Sequence, residues 1–151
     1  MKIFRKYRIM RTCAIVVCIA TLVVSIHCAS EEQHERVKKI HSECQADPKT
    51  HADDELLKKY HKGEEVDKSI VGAHMLCMST KFGVIQEDGK INKSALKTSL
   101  SRLISDETKL NEAIEKCAVE KDDPKDTALA LGKCFREQGG LRGHEHIHNR
   151  L

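Results

Sequence analysis

Three imidazoles at two-residue intervals stand near the end of the chain, in His144-Glu145-His146-Ile147-His148. On an extended segment they share one side and could hold a borderline divalent metal. Nothing else in the sequence is placed to complete such a site, so a solvated polar tail is the plainer reading and no metal is assigned. His34, His41, His51 and His61 fall among Glu and Lys and read as surface residues. No G-x-S-x-G, H-E-x-x-H or phosphate-binding loop occurs, so no catalytic group and no cofactor are expected. Seven cysteines remain to be explained.

Three of them belong to the N-terminus. Residues 1–12 carry five basic side chains and no acid, and residues 13–26 (CAIVVCIATLVVSI) form an unbroken apolar run ending at small residues before Ser30-Glu31-Glu32. This is the pattern of a secretory signal peptide cut near Ala29; a short signal anchor is the alternative. A spanning helix needs about 20 apolar residues, so no membrane insertion of the mature chain is expected. Without residues 1–29, 21 basic residues face 23 acidic ones, a net charge of −2 in place of +3. The electrostatic case for nucleic acid goes with the leader. Four cysteines stay, Cys44, Cys77, Cys117 and Cys134, and in a secreted domain of this size they imply two disulfides, in any of three pairings.

The elements that must hold these groups are helices, because apolar residues recur at three and four and no stretch alternates as a strand would. Six are expected. The first runs from Ser30 to Gln45, and the second from His51 to His61, capped by Thr50. The third, Glu64 to Lys81, presents Val66, Ile70, Ala73 and Cys77. The fourth, Lys93 to Ser105, is capped by Asn92 with Ile91 and Leu96 as a hydrophobic staple. The fifth begins near Ser105 and buries Leu110, Ile114 and Cys117. The sixth opens with Asp123-Pro124, carries Leu131, Cys134 and Phe135, and stops at Gly139-Gly140. The domain therefore covers residues 30–142, with 143–151 as a His-rich tail.

Cys44, Cys77, Cys117 and Cys134 sit at intervals of 33, 40 and 17 positions. With the turn Lys81-Phe82-Gly83-Val84-Ile85-Gln86-Glu87-Asp88-Gly89-Lys90 and Asp122-Asp123-Pro124 before the last cysteine helix, the mature chain resembles the insect odorant-binding proteins, the pheromone and general odorant-binding family. The resemblance implies an all-α, compact six-helix fold around an apolar cavity. It also implies the pairing Cys44–Cys77 and Cys117–Cys134. Family members commonly have six cysteines; here the second and fifth positions fall on Ala73 and Lys125, the pattern of the minus-C subclass. The absent bridge predicts a looser seam between the third helix and the start of the sixth.

The function implied is secreted, extracellular carriage of a small hydrophobic molecule such as an odorant, pheromone or other lipophilic signal, with presentation to a membrane receptor as one use. Tyr60, Phe82 and Phe135 are the only mature aromatics, which favours flexible aliphatic or terpenoid ligands over flat ones. Helical phase nominates Leu57, Tyr60, Ile70, His74, Met78, Leu100, Ile104, Ile114, Leu131 and Phe135 as wall residues, with Tyr60, His74, Thr98 or Ser99 as polar contacts. His74 reads first as a boundary residue, with the polar contact in a cavity as the alternative. The His tail could act as a pH-sensitive lid in the manner of some family members. A monomer or weak homodimer is expected. The alternative is a secreted helical protein that acts through its surface and binds no small molecule.

Overall fold

A computed structural model describes residues 31–139. The leader, Cys13, Cys18, Cys28 and the tail histidines His144, His146 and His148 lie outside them. The chain divides into two compact units, Met1–Lys39 and Ile40–Leu151. Helix α1 (residues 31–46) begins in the first and ends in the second, where α2 (Asp54–Lys62), α3 (Lys68–Lys81), α4 (Lys93–Leu100), α5 (Glu107–Cys117) and α6 (Pro124–Glu137) follow. Among the described residues the extended structure amounts to one bridge, Ile85 to Ile91. The fold is all-α, as expected.

Two helices start later than their periodicity implies, and each time a capping aspartate decides the boundary. The cap of α2 is Asp53, whose carboxylate accepts from the Glu55 N–H at 2.8 Å. Thr50 is not available for that role. Its hydroxyl donates to the Cys44 carbonyl at 2.8 Å, and His51 Nδ1 lies 3.0 Å from the Gln45 carbonyl. Both carbonyls belong to the last turn of α1, which has no partners of its own in the helix. Helix α3 starts at Lys68 because Asp67 accepts from the N–H groups of Ser69 and Ile70. Glu64 is instead occupied in closing α2, where Gly63 takes a φ of 81° and the Glu64 N–H donates to Lys59 O.

Helix α4 ends at Leu100, not Ser105. Thr98, Ser99 and Ser101 turn their hydroxyls back onto the carbonyls of Ser94, Ala95 and Thr98, which competes with continuing the ladder. The start signals of α4 and α6 act as read: Asn92 caps α4 between the buried pair Ile91 and Leu96, and Asp123 caps α6 with Pro124 in its first turn; α5, expected from near Ser105, starts at Glu107 with Asp106 as its cap.

The disulfides join Cys44 to Cys77 and Cys117 to Cys134, the pairing the resemblance implies. The first ties α1 to α3 and the second α5 to α6. In a chain-entropy account, loops of 33 and 17 residues contribute about 3.7 and 3.1 kcal/mol. No covalent tie joins α3 to α6, yet the two pack closely. Gly72 makes this possible: a Cβ there would stand 3.0 Å from Lys125 Cβ. The seam next to Ala73 is thus closed by the near approach of the two helices at Gly72.

Candidate functional site

Helix α6 separates two apolar clusters and presents a different stripe to each. Ala128, Leu131 and Cys134 face the larger cluster, with Val84, Ile85, Ile91, Leu96, Leu100, Leu110, Ala113, Ile114 and Cys117, and Phe135 and Ile104 pack against it. Leu129 packs against the smaller one, built from Ala52, Leu57, Tyr60 and Val71. Met75 of α3 packs against both. Its unbranched thioether side chain is the adaptable element between them.

The expected wall residues divide along the same line. Leu57 and Tyr60 are in the smaller cluster; Leu100, Ile114, Leu131, Ile104 and Phe135 are in or against the larger one. Met78 is buried. Ile70 departs from the expectation: it is 43% exposed, and its neighbour Val71 is buried in its place. Helix α3 is apolar on most of its circumference, so periodicity leaves its phase open by a residue. Its inner face is Val71, Gly72, His74 and Met78. Met75 and Leu129 were missed: Met75 lies three residues before the chosen Met78, whereas Leu129 is two and six residues from Leu131 and Phe135 and so falls on a different stripe of its helix.

The polar groups in this interior are mostly satisfied internally. The Tyr60 hydroxyl donates to the Leu129 carbonyl at 3.1 Å, in a space that exists only because residue 132 is glycine: a Cβ there would run into that oxygen and lie 2.9 Å from Met75 Cε. Burial pushes the Tyr60 phenol above its ordinary range, with Arg136 opposing. His74 is 2% exposed, its Nδ1 lies 2.9 Å from the Thr50 carbonyl, and the His41 ring meets it edge-on at 5.1 Å. Nδ1 therefore carries the proton when the ring is neutral. Burial holds His74 below the usual imidazole range, with the Thr50 bond opposing and His41 and His51 adding to the depression. The Thr127 hydroxyl accepts from the Lys121 N–H at 2.9 Å. Thr98 and Ser99 spend their hydroxyls on their own helix, so neither offers the polar contact expected of it.

Arg136 is the exception. It is half-buried at the end of the Leu129–Gly132 stripe, where Nη1 donates to the Tyr60 carbonyl at 3.0 Å and the guanidinium lies 4.8 Å above the Tyr60 ring. Among the described residues no carboxylate pairs with it. Among the same residues no group of three or more His, Cys, Asp or Glu is placed to hold a metal, and no helix is long and apolar enough to cross a membrane.

Several known proteins are similar to this chain in sequence or fold. Two beetle proteins, the B2 and B1 proteins of Tenebrio molitor, are 28% and 27% identical over 113 residues, covering 75% of this chain and 87% and 85% of theirs. Odorant-binding protein 10 of Aedes aegypti is 30% identical over 83 residues, 53% of this chain and 58% of its own. The fold matches the odorant-binding protein OBP28a of Drosophila melanogaster with a TM-score of 0.54, at 22% identity over 75% of this chain and 97% of that one. It matches the fatty acid binding protein OBP56a from the oral disk of the blowfly Phormia regina with a TM-score of 0.57, at 22% identity over 72% and 93%. Proteins named for binding, not for catalysis, are what the helices resemble. The PBP/GOBP family model matches residues 27–138, which takes in every helix of the described residues and all four bridged cysteines, and the chain therefore belongs to the PBP/GOBP family.

Proposed function

We propose that the mature chain is a secreted carrier that takes a small apolar molecule between α3 and α6, around Met75. The observation that carries this is the junction of the two apolar clusters at that flexible side chain, on a seam closed by packing alone. Ala73 and Lys125 fall at the positions where the resemblance puts a third bridge, which supports reading the chain as a minus-C member. Helices held by contact can part to admit a ligand; helices held by a disulfide there could not part in the same way. A ligand burying on the order of 300 Å² of apolar surface gains roughly 7 kcal/mol at about 25 cal/mol per Å², before association costs.

Arg136 narrows the ligand class. A half-buried cation with no acidic partner among the described residues, at the rim of an apolar interior, suits an aliphatic carboxylate, whose chain lies along the stripe and whose head reaches the guanidinium. A blowfly relative in fold is named as a fatty acid binding protein, in keeping with this. Leu57, Tyr60, His74, Met78, Leu100, Ile104, Ile114, Leu131 and Phe135 remain the proposed surroundings, without Ile70.

Displacement of a lipophilic fluorescent probe tests the reading. Saturable one-to-one binding, competed by medium-chain fatty acids and less well by their methyl esters, is expected. Arg136→Met is expected to weaken the acids about tenfold and leave the esters unchanged, the loss of one charge-assisted bond. Absence of saturable binding across a panel of apolar molecules would favour action through the surface instead.

A further inference from the structure

Three asparagines occur in the chain, and one of them begins an N-x-S/T tripeptide: Asn92-Lys93-Ser94. Asn111 is followed by Glu112-Ala113 and Asn149 by Arg150-Leu151, so neither qualifies. The tripeptide is the acceptor pattern for an N-linked oligosaccharide in a chain that enters the secretory route. A match to the pattern alone is weak, because many such sites are masked by the fold. The geometry at Asn92 is what strengthens it.

Asn92 follows the bridge residue Ile91 and caps α4. Its backbone N–H donates to the Val84 carbonyl at 2.8 Å, and its side-chain Oδ1 accepts from the Ala95 N–H at 3.1 Å. The carboxamide is therefore divided between two jobs. Oδ1 is committed to the helix, while Nδ2 has no partner among the described residues and is open to solvent. Lys93 and Ser94 are both exposed. The residue is fixed at its backbone, its reactive nitrogen faces water, and the cap depends on the other atom.

We infer that Asn92 is an N-linked glycosylation site. The inference rests on the secretory reading above. The donor class is an oligosaccharide carried on a lipid pyrophosphate: the Asn92 Nδ2–sugar C1 bond forms, the C1–oxygen bond to pyrophosphate breaks, the amide proton leaves to a base, and the lipid pyrophosphate departs. Oδ1 keeps its lone pairs throughout, so the glycosylated residue still caps α4.

The full chain, expressed in insect cells, supplies the test, with intact mass measured before and after peptide-N-glycosidase. Protein from the medium is expected to lose the mass of hexoses and N-acetylhexosamines on treatment and to be left with Asp at position 92. Ser94→Ala, which leaves the cap intact, and Asn92→Asp, which retains a capping oxygen, are expected in the medium at the bare polypeptide mass. Wild-type protein in the medium with no enzyme-sensitive mass would overturn the glycan and leave the secretory reading standing. A glycan that persists in Ser94→Ala would overturn the assignment to Asn92. Protein found neither in the medium nor in the secretory lumen would overturn both.

Discussion

His74 shows how one buried side chain makes the molecule sensitive to acid. Its neutral ring donates from Nδ1 to the Thr50 carbonyl, and around it stand His41 of α1, His51 of the following turn and the carboxylate of Asp54 of α2. Because burial lowers its folded-state pKa below the ordinary imidazole value of about 6.5, the unfolded chain takes up the proton first. Above pH 6.5 both states are neutral and the full stability is present; it is lost as the pH falls from there toward the depressed folded value. Chemical unfolding at a series of pH values is expected to show this decline, and to show a shallower one in His74→Gln. An equal slope in both proteins would remove His74 as the cause. At the same scale Tyr60→Phe leaves the Leu129 carbonyl without its donor and is expected to cost about 1 kcal/mol in urea unfolding.

Glycines set the distances between helices. At Gly132 an added methyl would collide with the Tyr60 hydroxyl, so Gly132→Ala is expected to destabilise by about 2 kcal/mol despite its better helix propensity. Combined with Tyr60→Phe it should cost less than the two changes do separately, since the colliding oxygen is gone; strict additivity in that double-mutant cycle would refute the contact. At Gly72, Val in place of glycine is expected to push α3 from Lys125 and Leu129 and lower stability by a similar amount. What could be read in advance follows the range of the interactions. The starts of α4 and α6 were legible because Asn92 with Ile91 and Leu96, and Asp123 with Pro124, act within a few residues. The start of α2 was not, because the Thr50 hydroxyl is claimed by Cys44, a partner local patterning does not register. The phase of α3 was missed by a residue at Ile70 because a helix apolar on most sides carries little directional signal, and the closeness of the α3–α6 seam depends on a glycine whose neighbour is 53 positions away.

For the whole molecule, the two bridges follow the pairing that resemblance implies, and spacing alone left three pairings open. Replacing Cys117 and Cys134 together with Ser is expected to lower stability by about 3 kcal/mol while the Cys44–Cys77 bridge survives in a non-reducing peptide map. The proposed site was legible in part: helical phase supplies its apolar character and most of the residues proposed for it, whereas Met75 as the joint between clusters and Arg136 as the proposed charged rim required the packing. The central claim is that a ligand enters between the clusters and is not held on the surface. Methyl NMR of the folded protein titrated with decanoic acid addresses it most directly. Saturable shifts at Leu131, Leu129 and Met75, with lesser ones at Leu100 and Ile114, are the predicted result; shifts confined to the exposed Ile70, Leu103 and Val119, or none at all, would contradict it.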